Sequence, residues 1–430
     1  MARLGIGAYE EWQPGQKLKL LLVGYNGARN TGSDVRTAAI ARQFKELFGP
    51  DQLQITVMTL DVRAVQGYFD EDVILLPFSS IFPWHIYRAC SRNHAAILCE
   101  GSTLKSTFAN ALTLFMCAAA GIMSSQGKPC LAYGSEIGTM EPFLQKAASI
   151  LCRQAYFIAR TQASLAALKK LGLQGHAGTD AAWLFRGTAE TGEAERLLRQ
   201  QGWDGQKPLI GLAVINPFCW PVRASLQRWI RSILSGNRAG QYDKWYFFSN
   251  SPTRRTAYKR YIQSIADGVN AFCRDSGCFP VLIGMERLDE KACRQLKEKL
   301  PLPSAMFLAG DYSAGIIASI LNSLSFLVTS RYHAAVLSMN SSCPITAISM
   351  DERLNNLMRE LSLAQKYLLQ AADPELAAKL YTALTQSRAE QAAIRQHILE
   401  YTARSRAAQQ EMGVFAKRYI LNALTINALK

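Results

Sequence analysis

The run LKLLLVGYNGARNTGSD, residues 18–34, decides how the rest of the chain is read. Residues 18–23 are almost wholly aliphatic, as expected of a strand buried on both faces. Gly24 and Gly27 then allow a tight turn, and Ser33-Asp34 can cap a helix predicted to begin there. A helix N-terminus at the carboxyl end of a strand is a natural site for anions or polar ligands. The glycines do not follow the G-x-G-x-x-G spacing, so NAD is not expected. Gly24, Asn26, Asn30 and Asp34 are candidate substrate contacts, set against a purely structural turn.

Outward from that unit, apolar runs at 54–60, 73–76, 95–98, 129–133 and 155–159 read as further strands. Between them apolar residues recur every three or four positions, as at Ala38, Phe44 and Leu47. The alternation predicts βαβ units and a parallel sheet. A polar stretch at 192–207 interrupts it, with a hinge expected between 188 and 207 and centred on Gly202-Trp203-Asp204-Gly205. The ladder restarts at 209–213, 245–248, 280–283, 325–328 and 344–348. Two Rossmann-like domains are therefore expected, over 16–195 and 205–372, in a GT-B-like arrangement. From Pro374 onward Ala, Leu, Gln and Arg dominate, predicting a C-terminal helical extension over 373–430 that packs on the body.

A length of 430 residues suits two domains. The formal net charge of +15 points to anionic partners: nucleic acid, phosphorylated metabolites or an acidic membrane. Much of that charge lies at 220–261, where Arg223, Arg228, Arg231, Arg238, Lys244, Arg254 and Arg255 stand among Trp229, Tyr242, Trp245 and Tyr258. No RRM, KH or helix-turn-helix signature accompanies them, which argues against nucleic acid. A solvated helix face, an insertion near the cleft and a surface turned to anionic lipid all remain open. The ten cysteines include no C-x-x-C pair and no Cys/His spacing for a metal, so free thiols and a metal-free site are expected. Residues 1–17 lack a secretory core and 111–123 is too short to span a bilayer. A cytoplasmic protein is expected, with peripheral contact at the inner face of the membrane left open.

Three more strand ends carry possible chemistry. Glu100-Gly101-Ser102 follows one strand and Tyr133-Gly134-Ser135-Glu136 ends another. Glu100 and Glu136 read either as bases or sugar-hydroxyl acceptors, or as solvated loop carboxylates. Thr329-Ser330-Arg331-Tyr332-His333-Ala334 is sharper, with a helix predicted to begin at Arg331 or Tyr332. Arginine there can grip a carboxylate or phosphate through two parallel hydrogen bonds, and His333 can move a proton near neutral pH. The next strand also ends in charge, at Asp351-Glu352-Arg353, so Arg331 and Arg353 should share one edge of the sheet and one dianion.

Taken in order, these motifs resemble the polysaccharide pyruvyl transferase family. Residues 24–34 follow its G-Y-x-G-x-x-N-x-G-D-E, with Ser33-Asp34 in place of Asp-Glu. Its G-x-G-I-G-P-like turn corresponds to 134–139, its R-D-x-x-S to Arg160-Thr161-Gln162-Ala163-Ser164, and its D-P-A to Asp180-Ala181-Ala182. Its R-L-H-A corresponds to Arg331-Tyr332-His333-Ala334, and its closing P-x-x-x-I-x-Y-D-x-K to 344–353, with Met350 for Tyr and Arg353 for Lys. The resemblance implies transfer of a pyruvyl group from phosphoenolpyruvate, a co-substrate rather than a cofactor, to two hydroxyls of a sugar. That sugar would belong to a cell-surface polysaccharide or its lipid-linked precursor. The competing expectation is a GT-B glycosyltransferase using a nucleotide sugar.

Overall fold

The computed structural model describes residues 10–78, 83–106, 110–185, 192–220, 222–236, 241–243, 246–349 and 351–428. The chain divides into two compact units, one built from residues up to 188 together with 401 onward, the other from 189 to 400.

The first unit is organised by a seven-stranded sheet. Its strands are β1 (Leu18–Asn26), β2 (Leu53–Thr59), β3 (Ile74–Pro77), β4 (Ala95–Leu98), β5 (Cys130–Ser135), β6 (Tyr156–Ala159) and β7 (Gln174–Ala177). They lie in the order β3-β2-β1-β4-β5-β6-β7, and every pairing is parallel. The aliphatic run of β1 explains its place. Leu20 and Leu22 enter one core and Leu21 and Val23 the other, so both faces are covered. On one face lie Ile40 and Phe44 of the helix Thr31–Phe48; on the other lie Phe115, Met116 and Ala119 of the helix Asn110–Ser125. Winding reverses at β1, which pairs with β2 on one side and β4 on the other, so their carboxyl ends form a switch point.

The second unit repeats the plan. Its strands are β8 (Leu209–Ala213), β9 (Arg223–Ala224), β10 (Gln241–Asp243), β11 (Tyr246–Phe247), β12 (Phe279–Gly284), β13 (Ala305–Leu308), β14 (Phe326–Thr329), β15 (Ile345–Ser349) and β16 (Leu368–Gln370). The main sheet has the order β13-β12-β8-β14-β15-β16 and is parallel throughout. The strand expected at 245–248 is not part of it. Trp245 lies outside the described residues, and Tyr246–Phe247 belongs to a separate antiparallel sheet, β10-β11-β9. A two-residue strand is too short for the ladder, and this small sheet is an excursion between β8 and the helix Pro252–Ser276.

The C-terminal segment is helical, as expected, and its two helices join different units. Leu376, Leu380 and Leu384 of the helix Leu376–Ala389 join the core of the second unit. The helix Gln391–Ala428 continues into the first, where Met412, Ala416, Ile420 and Leu424 are buried. Gln409 fixes it there: its side chain donates to Ala181 O (2.7 Å) and accepts from the Leu184 N–H (2.9 Å). All ten cysteines are free.

Candidate active site

At the carboxyl edge of the first sheet the helix Thr31–Phe48 begins two residues earlier than Ser33. Asn30 is its cap, the side-chain oxygen accepting the Ser33 N–H at 3.2 Å. Asn26 is wholly buried, donating to Met58 O (3.1 Å) and accepting from Thr37 Oγ1 (2.6 Å). It ties β1 to β2 and to the helix, which corrects its reading as a ligand contact. Asp34 is buried and accepts the Gly27 N–H at 3.3 Å. Gly24 also has a packing reason, because a Cβ there would stand 3.2 Å from Asn26 Nδ2 and 3.4 Å from Cys99 Cβ. Gly27 is the residue the turn demands: its φ is +78°, and a Cβ would lie 2.3 Å from Thr59 Oγ1.

This edge also carries a carboxylate among hydroxyls. Glu100, half-buried just after β4, accepts from Ser33 Oγ (3.1 Å) and from the Ser102 N–H (3.3 Å). Ser102 Oγ and Thr31 Oγ1 are buried with no partner among the described residues. A sugar hydroxyl could donate to Glu100 and accept from such hydroxyls, which is what an acceptor site requires.

Glu136 is different and its reading is corrected. It is 1% exposed and accepts from Arg160 Nε (3.1 Å) and Nη2 (2.8 Å). Arg160 Nη1 also donates to Asp180 Oδ2 (2.7 Å), which lies 2.6 Å from Arg36 Nη1. Arg36 donates on to Cys99 O, Tyr133 O and Gly134 O at 3.1, 2.9 and 3.0 Å. Two arginines and two carboxylates thus form a buried, charge-balanced clamp across the ends of β4, β5 and β6, and Glu136 is a structural member of it. Sequence reasoning singled out Arg160 and Asp180 only as motif positions and passed over Arg36, which sits mid-helix with no local signal.

In the second unit Thr329 ends β14, and its Oγ1 accepts the Arg331 N–H (2.8 Å) while donating to Ala213 O (2.9 Å). Arg331 caps the helix Tyr332–Ser338. Its Nε donates to Asp289 Oδ2 (2.9 Å) and its Nη2 to Glu286 Oε2 (2.7 Å). Asp289 Oδ2 also accepts the N–H groups of Met285 and Glu286 at 3.0 and 3.2 Å. Burial, with the Glu286 charge adding to it, pushes the Asp289 carboxyl up to about 7 against the pull of Arg331. Arg353 is held by its neighbour Asp351, whose Oδ2 accepts from Nε at 2.8 Å and lies 2.6 Å from Nη2. β14 and β15 are adjacent and parallel, as expected, so both arginines follow strands at one edge. Each guanidinium is already held by a carboxylate, Arg331 by Glu286 and Asp289 and Arg353 by Asp351. Nη1 of Arg331 keeps no partner among the described residues. His333 is half-buried, its ring edge-on to Tyr332 at 5.1 Å. Met350 lies outside the described residues.

Beside this edge opens a cavity of about 770 Å³, lined by Ile215 and Asn216 beyond β8 and by Arg287 and Leu288 beyond β12. Arg254, Arg255, Arg287, Lys291 and Arg294 line it against only Glu290 and Glu298, with Phe218, Trp220, Phe248 and Tyr258 supplying aromatic wall. Arg294 is paired to Glu290 (2.8 Å), and Arg254 donates to Phe218 O and Trp220 O (2.8 Å each). The excess of positive charge suits a polyanion. Part of the basic stretch at 220–261 therefore lines a cavity, and Arg287 adjoins the two carboxylates that hold Arg331.

The family model for polysaccharide pyruvyl transferase matches residues 30–352. The chain belongs to that family. The match runs from the Asn30 cap at the first sheet to Asp351 and Glu352 beyond β15, so it takes in Glu100, Arg331 and His333. No curated protein sequence gives a significant match. Among solved structures the chain is similar to the UDP-GlcNAc 2-epimerase of Neisseria meningitidis bound to UDP-GlcNAc, at 8% identity, a TM-score of 0.58 and coverage of 94% of this chain and 100% of that one. It is similar also to MnaA of S. aureus with UDP, at 10% identity, TM-score 0.60 and coverage of 95% and 98%. HepE of Anabaena in complex with UDP-glucose matches at 12% identity, TM-score 0.58 and coverage of 93% and 100%. At such identities the likeness shows the fold alone: two parallel-sheet α/β domains of the GT-B-like kind with a C-terminal helical region.

Proposed function

We propose that this protein transfers the pyruvyl group of phosphoenolpyruvate to two hydroxyls of one sugar in a cell-surface polysaccharide or its lipid-linked precursor. The observation that carries the reading is the family match across 30–352, which spans both candidate edges. Phosphoenolpyruvate brings a carboxylate and a phosphate, and the second unit offers cations beyond β8, β12 and β14 to receive them. Arg331, with Nη1 left over from its ion pairs, is the proposed grip on one acidic group; Arg287 at the cavity is a second cation nearby in sequence to its anchors. His333 is the proposed acid that protonates the methylene carbon, leaving an electron-poor C2 that a sugar hydroxyl attacks. Phosphate then leaves C2 and the second hydroxyl closes the ketal. Of the two hydroxyl protons released, one replaces that given to the methyl group and the other departs with phosphate. Glu100 is the proposed acceptor of a hydroxyl proton in the first unit.

Incubation with phosphoenolpyruvate and envelope glycolipid should release phosphate and add a pyruvate ketal to the acceptor, read by mass spectrometry. One observation favours a second reading: the 770 Å³ cationic and aromatic cavity is large for phosphoenolpyruvate and suits a nucleotide sugar. Tight binding of a UDP-sugar with no response to phosphoenolpyruvate would decide for a glycosyltransferase.

A further inference from the structure

Within the excursion between β8 and β12 lies the helix Leu226–Ser235, LQRWIRSILS. It has the marks of a specified helix. The Ser225 side chain caps it by accepting the Arg228 N–H at 3.3 Å, and Gly236 closes it in the left-handed conformation at φ +62°. Yet none of its ten residues is buried. Leu226, Ile230, Ile233 and Leu234 are 61, 45, 58 and 82% exposed. Helices of this length are marginal in water unless an apolar face is packed. The apolar residues are not scattered either. At 100° per residue Leu226, Trp229, Ile230, Ile233 and Leu234 fall within an arc of about 140°, with Arg228, Arg231, Ser232 and Ser235 opposite.

The surroundings say what covers that face. A pocket of about 560 Å³ opens beside the start of the helix, lined by Arg223, Ser225, Arg228 and Arg254 with no carboxylate. None of Arg223, Arg228, Arg231 and Arg254 has an ion-pair partner among the described residues; Arg228 and Arg254 donate only to backbone carbonyls. The whole chain carries +15. An aliphatic and indole stripe, unburied and flanked by arginines with no ion pair among the described residues, combines the two signals that hold a peripheral protein on a charged bilayer.

We propose that the helix Leu226–Ser235 is a membrane-docking element. It lies along the headgroup boundary of an anionic bilayer, with Leu226, Ile230, Ile233 and Leu234 inserted and the Arg223–Arg228–Arg254 pocket holding lipid phosphates. The docking helix is argued without the reaction proposed above, although Arg254 lines both this pocket and the larger cavity.

Flotation with vesicles decides the matter. The full-length protein should float with vesicles of phosphatidylcholine and phosphatidylglycerol, much less with phosphatidylcholine alone, and high salt should weaken the binding. The double substitution I233E/L234E, at positions already in solvent, should leave the thermal melt unchanged and cut binding at least tenfold. R223S/R228S should cut it severalfold and erase the preference for anionic lipid. The proposal is overturned if the unmodified protein stays with the unbound fraction, or if I233E/L234E floats as well as it does. It is overturned equally if the protein is a dimer that I233E/L234E makes monomeric while neither form binds vesicles, because the face is then an interface between two copies.

Discussion

Nη2 of Arg331 lies 2.7 Å from Oε2 of Glu286, a residue 45 positions earlier that follows a different strand of the same sheet. Together with Asp289 on Nε, this pair makes Arg331 an anchored cation whose orientation is fixed before substrate arrives.

Arg331→Ala should therefore fail in two ways at once. Removing the guanidinium leaves Glu286 and the fully buried Asp289 without their partner, costing about 3–5 kcal/mol of stability. Any substrate charge it grips is lost as well, adding roughly 3 kcal/mol or more to the barrier. Arg331→Lys keeps the charge but cannot span both carboxylates, so it should restore part of the stability and little of the rate. Urea unfolding beside kcat/KM measures the two losses separately. Unchanged kcat/KM in a folded Arg331→Lys variant would remove Arg331 from the site. Arg353→Lys should be mild, because a lysine keeps the positive charge that Asp351 Oδ2 receives.

Glu136 and Glu100 separate by the same pair of measurements. Glu136→Gln weakens the clamp to Arg160 and should lower stability by about 1–3 kcal/mol while a folded variant keeps turnover within a fewfold. Glu100→Gln can keep its amide oxygen on the Ser102 N–H and turn its NH2 to donate to Ser33 Oγ, so stability should hardly move, yet turnover should fall about a hundredfold if Glu100 takes the hydroxyl proton. The reverse pattern would exchange their roles.

How much of this was legible depended on whether the cause was local. β1 declared itself because a strand buried on both faces must be continuously apolar over 18–23. β7, β13 and β16 went unread, and all three are edge strands of only three or four residues; Gln174–Ala177 shows no apolar run at all. The position of Arg331 was readable from the strand and helix around it. Its partners were not, since Glu286 and Asp289 reach it only when β12 and β14 flank β8. Glu136 looked like a loop carboxylate because nothing beside it in the chain reveals Arg160. The helix Leu226–Ser235 hid within a generally basic stretch, and only its exposure distinguishes it.

A pH effect on stability should come from His94. Burial, reinforced by the charges of Lys128 and Lys19, lowers its pKa from 6.5 to about 4. Its Nδ1 accepts the Lys19 N–H at 3.1 Å, which only an unprotonated nitrogen can do. Between these two values the unfolded chain binds a proton that the folded one refuses. Stability from this group is thus fully present above pH 6.5 and lost as pH falls towards 4, by at most about 3 kcal/mol. His94→Asn, which keeps an acceptor near that place, should flatten the dependence in urea melts across this range. An unaltered slope would assign the acid sensitivity elsewhere.

His333 offers the test that separates chemistry from packing. It stands two residues beyond Arg331, half-buried and edge-on to the buried Tyr332, at the start of a short helix. A general acid must enter the cycle protonated, and the bound phosphate or carboxylate would favour that state. His333→Gln keeps a polar side chain of similar reach but has no exchangeable acid. It should leave the thermal melt and the phosphoenolpyruvate isotherm close to those of the unmodified protein. Turnover should nonetheless drop by about a hundredfold or more. The unmodified enzyme should also lose rate on the alkaline side, and the variant's residual rate should lose that limb. If His333→Gln unfolds the protein, or leaves turnover intact with binding unchanged, His333 is a packing residue and not the acid. A folded variant that still turns over would move the search for the acid to the residues lining the neighbouring cavity.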